Sequence, residues 1–274
     1  MILVNGHPAC SLPVEDRGLQ YGDGLFETVR IHHGNPVCWK HHQARLAEGG
    51  RRLGIPLPEA ELLDAEIAHV SAGYEAGVLK LILTRGGGPR GYAPPKPVQP
   101  NRILRVTSAP CHPVSWSREG VAVRLCTTRL ARNHRLAGIK HLNRLEQVLA
   151  RSEWNDEVQE GIMQDTEGQV VEGVMSNLFL VYGDGLCTPD LSHCGVAGIT
   201  RARVMDLAHR WGIPCRVGKV TETDLWRADG LFLTNTLAGI WPVSRLEGKT
   251  RSVPPLVSRI RDALALTEGG DPAC

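Results

Sequence analysis

Strand-like and helix-like stretches alternate along the whole of this 274-residue chain. Apolar runs of period two build sheets and runs of period 3.6 build helices, so the alternation restricts the fold to an α/β or α+β architecture. In the first half, strands are expected at Ile2–Val4, 25–31, 36–39, 78–84 and 102–108. Helical patterns fill 41–53, stopped by Gly54, and 59–72. Asn5-Gly6 marks a hairpin turn. Residues 85–95, Arg85-Gly-Gly-Gly-Pro-Arg90-Gly-Tyr92-Ala-Pro-Pro, are too rich in glycine and proline for regular structure. Long ordered loops inside compact domains tend to carry function. The second half repeats the alternation, with strands at 121–126, 161–164, 169–172, 178–182, 231–234 and 240–243. Helices are expected at 142–154, 199–211 (with Gly212 as C-cap) and 256–266. Two prolines in 109–117 suggest a hinge. The expected organisation is a small domain at 1–110, a linker at 111–118 and a larger domain at 119–274.

Composition narrows the function classes. The chain is 42% hydrophobic, and 31 basic side chains nearly balance 29 acidic ones, for a net charge of +2. At this length a fold buries roughly three-quarters of its unfolded surface and needs no staples. The near-neutral balance leaves no electrostatic footprint for nucleic acid or an anionic membrane. No apolar run approaches the roughly 18 residues that span a bilayer. The N-terminus, Met-Ile-Leu-Val-Asn-Gly-His, lacks the basic lead and apolar stretch of a signal peptide. A soluble, cytoplasmic protein with neither nucleic-acid nor membrane partner is expected.

Eight cysteines without a Cys-x-x-Cys pair, Cys274 among them, read as small apolar fillers in a reducing compartment. Eleven histidines show no ligand spacing. Adjacent histidines such as His32-His33 and His41-His42 point in different directions on a strand or helix, so no metal is expected.

Chemistry is concentrated in Ala137-Gly-Ile-Lys140-His141-Leu-Asn143-Arg144-Leu-Glu-Gln. A lysine in a helix lead-in is ordinarily a snorkelling surface cation. The functional alternative is a Schiff-base lysine, made nucleophilic when burial lowers its pKa. Glu172, in Val170-Val-Glu172-Gly-Val-Met-Ser-Asn177, is a carboxylate inside an apolar strand, which is costly unless partnered. It is either a solvent-facing strand position or the partner of a pyridinium nitrogen. Ala197-Gly198-Ile199-Thr200 opens a helix whose N–H groups and dipole favour an anion. Thr234-Asn235-Thr236-Leu237 offers hydroxyl and backbone donors in a turn after a strand. Arg45 adds a bidentate phosphate partner. Each alone is a weak signal, since helix-start threonines are mostly caps and helix arginines mostly solvated.

Together, Tyr21-Gly-Asp23-Gly24-Leu-Phe-Glu27-Thr28, His42-x-x-Arg45-Leu46, Gly138-Ile-Lys140-x-Leu-Asn143, Glu172-Gly-x-x-Ser-Asn177-Leu-Phe and Gly198-Ile-Thr200-Arg resemble the fold-type IV enzymes that use pyridoxal 5'-phosphate (PLP). That family includes branched-chain and D-amino-acid aminotransferases and aminodeoxychorismate lyases. The resemblance runs the length of the chain in order. It implies a two-domain α/β (α+β) fold, with a small N-terminal domain, a larger C-terminal domain and PLP in the cleft between them, and a homodimer. It makes Lys140 the Schiff-base lysine and sets Glu172 against the pyridine nitrogen. Arg45, Gly198, Ile199, Thr200 and Thr236 hold the phosphate in this pattern, with Asn177 supporting the cofactor site; alone, Asn177 would be a turn hydrogen bond.

Within the family, Lys140-His141-Leu-Asn143-Arg144-Leu-Glu-Gln, Asn5-Gly6-His7 and the 84–92 loop are most similar to the lyases. The implied reaction turns 4-amino-4-deoxychorismate into 4-aminobenzoate and pyruvate, in folate biosynthesis, with a functional link to aminodeoxychorismate synthase. Arg90 and Tyr92 are candidates for the substrate carboxylates, with Thr28, Arg30 and His141 behind them. Arg90, His141 and Arg144 also read as ordinary surface residues. The rival readings are an aminotransferase using the same Lys140 and Glu172, and a non-catalytic PLP-binding protein.

Overall fold

The computed structural model describes residues 1–268. The chain divides into two compact units, Met1–Pro110 with Ile139–Asn143, and Cys111–Gly138 with Arg144–Thr267.

The first unit opens with β1 (Ile2–Val4), β2 (His7–Pro8) and α1 (Arg17–Tyr21), followed by β3 (Gly24–His32) and β4 (Asn35–Pro36). Helices α2 (Trp39–Leu53) and α3 (Ala60–Ser71) precede β5 (Ala76–Thr84) and β6 (Asn101–Ser108). The strands form one antiparallel sheet in the order β2-β1-β6-β5-β3-β4. Nine residue pairs, from Gly24↔Thr84 to His32↔Ala76, fix β3 against β5. Burial alternates along β3: Leu25, Glu27, Val29 and Ile31 are buried, while Phe26, Thr28 and Arg30 are half-buried. That period of two is what a sheet covered by helices on one face requires. Gly54, at φ +65°, ends α2 with its N–H on the Gly50 carbonyl.

The second unit contains α4 (Val114–Arg118), β7 (Val121–Leu130), α5 (Leu145–Arg151), β8 (Glu160–Asp165), β9 (Val170–Gly173) and β10 (Asn177–Tyr182). It continues with β11 (Gly185–Pro189), α6 (Ile199–Arg210), β12 (Cys215–Gly218), α7 (Glu222–Arg227) and β13 (Gly230–Asn235). It closes with β14 (Gly239–Leu246), β15 (Lys249–Thr250) and α8 (Pro255–Glu268). The sheet is mixed, in the order β12-β11-β10-β13-β14-β7-β8-β9, with β15 on β14. Helices α6 and α8 bury Val204, Leu207, Val257 and Ile260 against Phe179 and Phe232, whose rings stack 4.9 Å apart. Each such side chain removed from water contributes roughly 1.5–3 kcal/mol.

Three expectations shift. Residues 36–39 are not a strand: pairing ends at Pro36, and Cys38, at φ +54°, turns the chain directly into α2. Residues 111–118 are not a bare linker, because α4 lies there and Trp116 packs on the second unit's core. Helix α5 starts at Leu145 rather than 142, since the Leu142 N–H is committed to the Gly24 carbonyl at 3.0 Å. Six cysteines are free thiols. Cys274 lies outside the described residues.

Candidate active site

In the first unit the lysine segment, Ile139–Asn143, lies along the start of β3. The Phe26 N–H donates to the Lys140 carbonyl at 2.9 Å, and His141 bridges to Leu25. Asn143 Nδ2 donates to the Gly22 carbonyl at 2.9 Å. Gly24 has no room for a Cβ, which would sit 2.5 Å from the Leu83 oxygen and 2.7 Å from Leu142. These contacts fix the lysine's backbone, and its half-buried Nζ lies 4.4 Å from the Phe26 ring centroid, over the π-face. Lys80 Nζ lies over the same ring at 3.5 Å.

Strand alternation turns Glu27 to the opposite face from Phe26, towards α2. The carboxylate is 1% exposed. Arg45 Nε donates to Oε1 at 2.8 Å and Nη2 to Oε2 at 2.5 Å, while His42 Nδ1 lies 2.7 Å from Oε2. Burial alone would raise the pKa of Glu27; the Arg45 charge and the bonds from Arg45 and His42 outweigh it and bring it down to about 2. Burial pushes His42 down, only partly countered by Glu27, and the Arg45 and Lys140 charges push it further. His42 is therefore neutral at pH 7, and Glu27, an acceptor only, requires its proton on Nδ1.

In the second unit the Glu172 carboxylate, buried on β9, accepts from the Val196 N–H at 2.8 Å and from Asn177 Nδ2 at 3.2 Å. Asn177 Nδ2 also donates to the Val196 carbonyl at 2.9 Å. A Cβ on Gly198 would fall 2.0 Å from Asn177 Oδ1, so only glycine fits at the start of α6. No side chain caps that helix, and Thr200 is buried in its first turn. Thr234 Oγ1 is buried, at 3% residue exposure, and has no partner. Beyond it, Asn235 Oδ1 takes the Leu237 N–H at 2.8 Å and the Ala238 N–H at 3.4 Å, closing the turn that carries Thr236.

The expected residues thus fall into two groups. Lys140, His141, Arg45, Thr28 and Arg30 belong to the first unit; Glu172, Asn177, Gly198, Ile199, Thr200 and Thr236 belong to the second. Arg90 and Tyr92 are exposed, Tyr92 at 86%, on a loop that Arg17 holds through the Gly91 and Tyr92 carbonyls at 2.9 and 3.2 Å. Glu27 and His42 are not among the residues expected of the site, and Thr234 enters only within the hydroxyl-bearing segment around Thr236. A carboxylate in phase with Leu25, Val29 and Ile31 was the available signal for Glu27.

The donor chemistry suits PLP. In the second unit an uncapped helix N-terminus and an orphan buried hydroxyl match a phosphate, and a buried carboxylate held by N–H donors matches a pyridine nitrogen. In the first unit a guanidinium suits a phosphate and a lysine suits an aldehyde. Among the described residues, no group of three or more His, Cys, Asp or Glu side chains could hold a metal. Nor is any helix long and apolar enough to cross a membrane.

Comparisons with known proteins identify the family. The chain is 35% identical to the aminodeoxychorismate lyase of Vibrio harveyi, over 92% of this chain and 94% of that one. It is 30% identical to the D-alanine aminotransferase of Bacillus licheniformis, over 96% and 95%. The crystal structure of 4-amino-4-deoxychorismate lyase from Pseudomonas aeruginosa superposes with a TM-score of 0.93 at 48% identity, covering 96% of this chain and 98% of that one. The family model described as amino-transferase class IV matches residues 24–246, and the chain belongs to that family.

Proposed function

We propose that the chain is a PLP-dependent carbon–oxygen lyase that converts 4-amino-4-deoxychorismate to 4-aminobenzoate and pyruvate. The observation that carries this reading is the 48% identity to the Pseudomonas aeruginosa lyase along nearly the full length of both chains.

Lys140 is the residue that anchors the cofactor covalently and then works as acid and base. Its amine takes the proton from the amine-bearing ring carbon, and the ring carbon–oxygen bond breaks as the ring becomes aromatic. The same ammonium returns a proton to the departing enolpyruvate, which becomes pyruvate, so no amino-group acceptor is consumed. PLP supplies, when bound, an electron-withdrawing ring that stabilises charge developing on the substrate carbon. Glu172 keeps the pyridine nitrogen protonated. Arg45, the first turn of α6 from Gly198 to Thr200, and Thr236 hold the phosphate, with Asn177 orienting Glu172. Arg90, Tyr92, Thr28, Arg30 and His141 supply the polar contacts for substrate. The small domain at 1–110, the homodimer, the cytoplasmic setting, a place in folate biosynthesis and supply of substrate by aminodeoxychorismate synthase belong to the same proposal.

A second reading, an aminotransferase, draws on the identity to D-alanine aminotransferase. The test is release of pyruvate and 4-aminobenzoate from aminodeoxychorismate with PLP present and no keto acid added. Equal amounts of both products, absent from Lys140→Ala, are expected. A yellow protein that forms neither product until a keto acid and an amino donor are supplied would make the aminotransferase reading correct.

A further inference from the structure

The Glu27 cluster has more structure than a helix-to-sheet contact requires. Glu27 lies on β3 among Leu25 and Val29, where an unpartnered carboxylate is disfavoured. His42 and Arg45 are three residues apart on α2, on one helical face, and both reach the same carboxylate. Arg45 meets it side-on, through Nε and Nη2, one bond to each oxygen. Two of the guanidinium's five donors are thereby committed and its plane is set by that of the carboxylate. His42 Nδ1 holds Oε2 from a third direction, so the carboxylate itself cannot rotate without losing a bond.

We propose that Glu27 is a positioning residue for cofactor phosphate binding, acting through Arg45, with His42 fixing Glu27 in turn. This rests on the reading of Arg45 as a phosphate ligand. The physical reason is preorganisation. A free arginine gives up side-chain rotamer freedom when it closes on an anion, and that loss comes out of the binding energy. Here the guanidinium is already oriented and its charge compensated before any phosphate arrives, so it need not be reordered by the ligand. Without Glu27 the arginine is more electropositive but loses the two-point partner that sets its plane. The gain in charge is smaller than the loss in geometry, because bidentate recognition of an anion depends on a fixed plane.

The experiment compares PLP with pyridoxal, which carries the same aldehyde and ring but no phosphate. Dissociation constants for both are measured on the full-length apoprotein from the absorbance of the lysine adduct, for wild type, Glu27→Gln, Arg45→Lys and the double variant. Glu27→Gln is expected to weaken PLP roughly tenfold, the scale of one charge-assisted bond, and to leave pyridoxal within about twofold. In the Arg45→Lys background, Glu27→Gln is expected to add nothing. Glu27→Asp keeps the charge on a shorter arm and should show a smaller loss of the same kind, which keeps the test open if the glutamine variant folds poorly. Equal weakening of PLP and pyridoxal would overturn the inference in favour of a purely structural role. So would an unchanged PLP affinity, or an undiminished effect in the Arg45→Lys background. If Arg45→Lys itself leaves the ratio of PLP to pyridoxal affinity unchanged, Arg45 is not the phosphate ligand, and the reading beneath the inference fails separately from it.

Discussion

Glu27 in the first unit and Glu160 in the second are equally buried, at 1% and 0% exposure, yet their pKa values move in opposite directions. Burial raises both pKa values. For Glu27 the guanidinium of Arg45 and the His42 N–H reverse the effect, to about 2. Glu160 has only neutral donors: the Gly161 N–H at 3.0 Å, the Ser176 hydroxyl at 2.9 Å and the Met175 N–H at 3.2 Å. These lower it, but less than burial raises it, and the balance is upward. An interior carboxylate thus stays ionised where a full opposite charge compensates it, and drifts towards its acid where only dipoles do. The difference matches position. Glu27 sets the orientation of a cation proposed to bind an anion. Glu160 braces the turn between Gly173 and Asn177, which joins the two strands carrying Glu172 and Asn177.

Replacing the charge in the first unit is expected to have the larger effect on stability. Glu27→Gln leaves Arg45 without its counter-charge and should lower the unfolding free energy by about 3 kcal/mol at pH 7. Unfolding in denaturant, followed by far-UV circular dichroism, reads the loss. A loss below about 1 kcal/mol would mean that the cluster is not holding α2 on β3. The difference should also depend on pH. A carboxylate whose folded pKa lies below its unfolded value stabilises fully above the unfolded value and loses that contribution as pH falls through the folded one. With 4.5 unfolded and about 2 folded, the gap between wild type and variant should shrink to less than half by about pH 3. A gap constant from pH 7 to 3 would contradict the lowered pKa.

How much of this was legible in the sequence follows the same physics. Val78–Thr84, Arg102–Ser108 and Leu178–Tyr182 announced themselves because central strands alternate or run apolar, and β5, β6 and β10 contain them. Of the short pieces, β2 is signalled only by the Asn5-Gly6 turn and β4 only by the run at 36–39, while β15 leaves no trace, since two-residue pairings at sheet margins bury almost nothing. Lys140 and Glu172 stand out through motif resemblance and the cost of a charge in an apolar strand. Glu27 meets that second criterion equally well. The start of α5 was unreadable for a different reason. A backbone N–H promised to a strand more than a hundred residues away leaves no local signature, and the Leu142 N–H is such a group.

The smallest effect should come from Glu160→Gln, and it should shrink as pH rises. At about pH 4 wild-type Glu160 is largely protonated, and the amide differs from it by one acceptor. Its NH2 cannot receive the Met175 N–H as the carboxyl oxygen does, which costs about 1 kcal/mol. The Ser176 hydroxyl can rotate to accept instead, so that bond survives in the other sense. Above the unfolded value of 4.5 the unfolded chain releases its proton while the folded one retains it. Wild-type stability therefore declines as pH rises through that window, and glutamine, with no proton to lose, does not follow. The variant should be the less stable protein at pH 4 and close the gap, or reverse it, by pH 7. A gap that widens with pH would show Glu160 ionised and compensated in the folded state, like Glu27, and would erase the contrast between the two units.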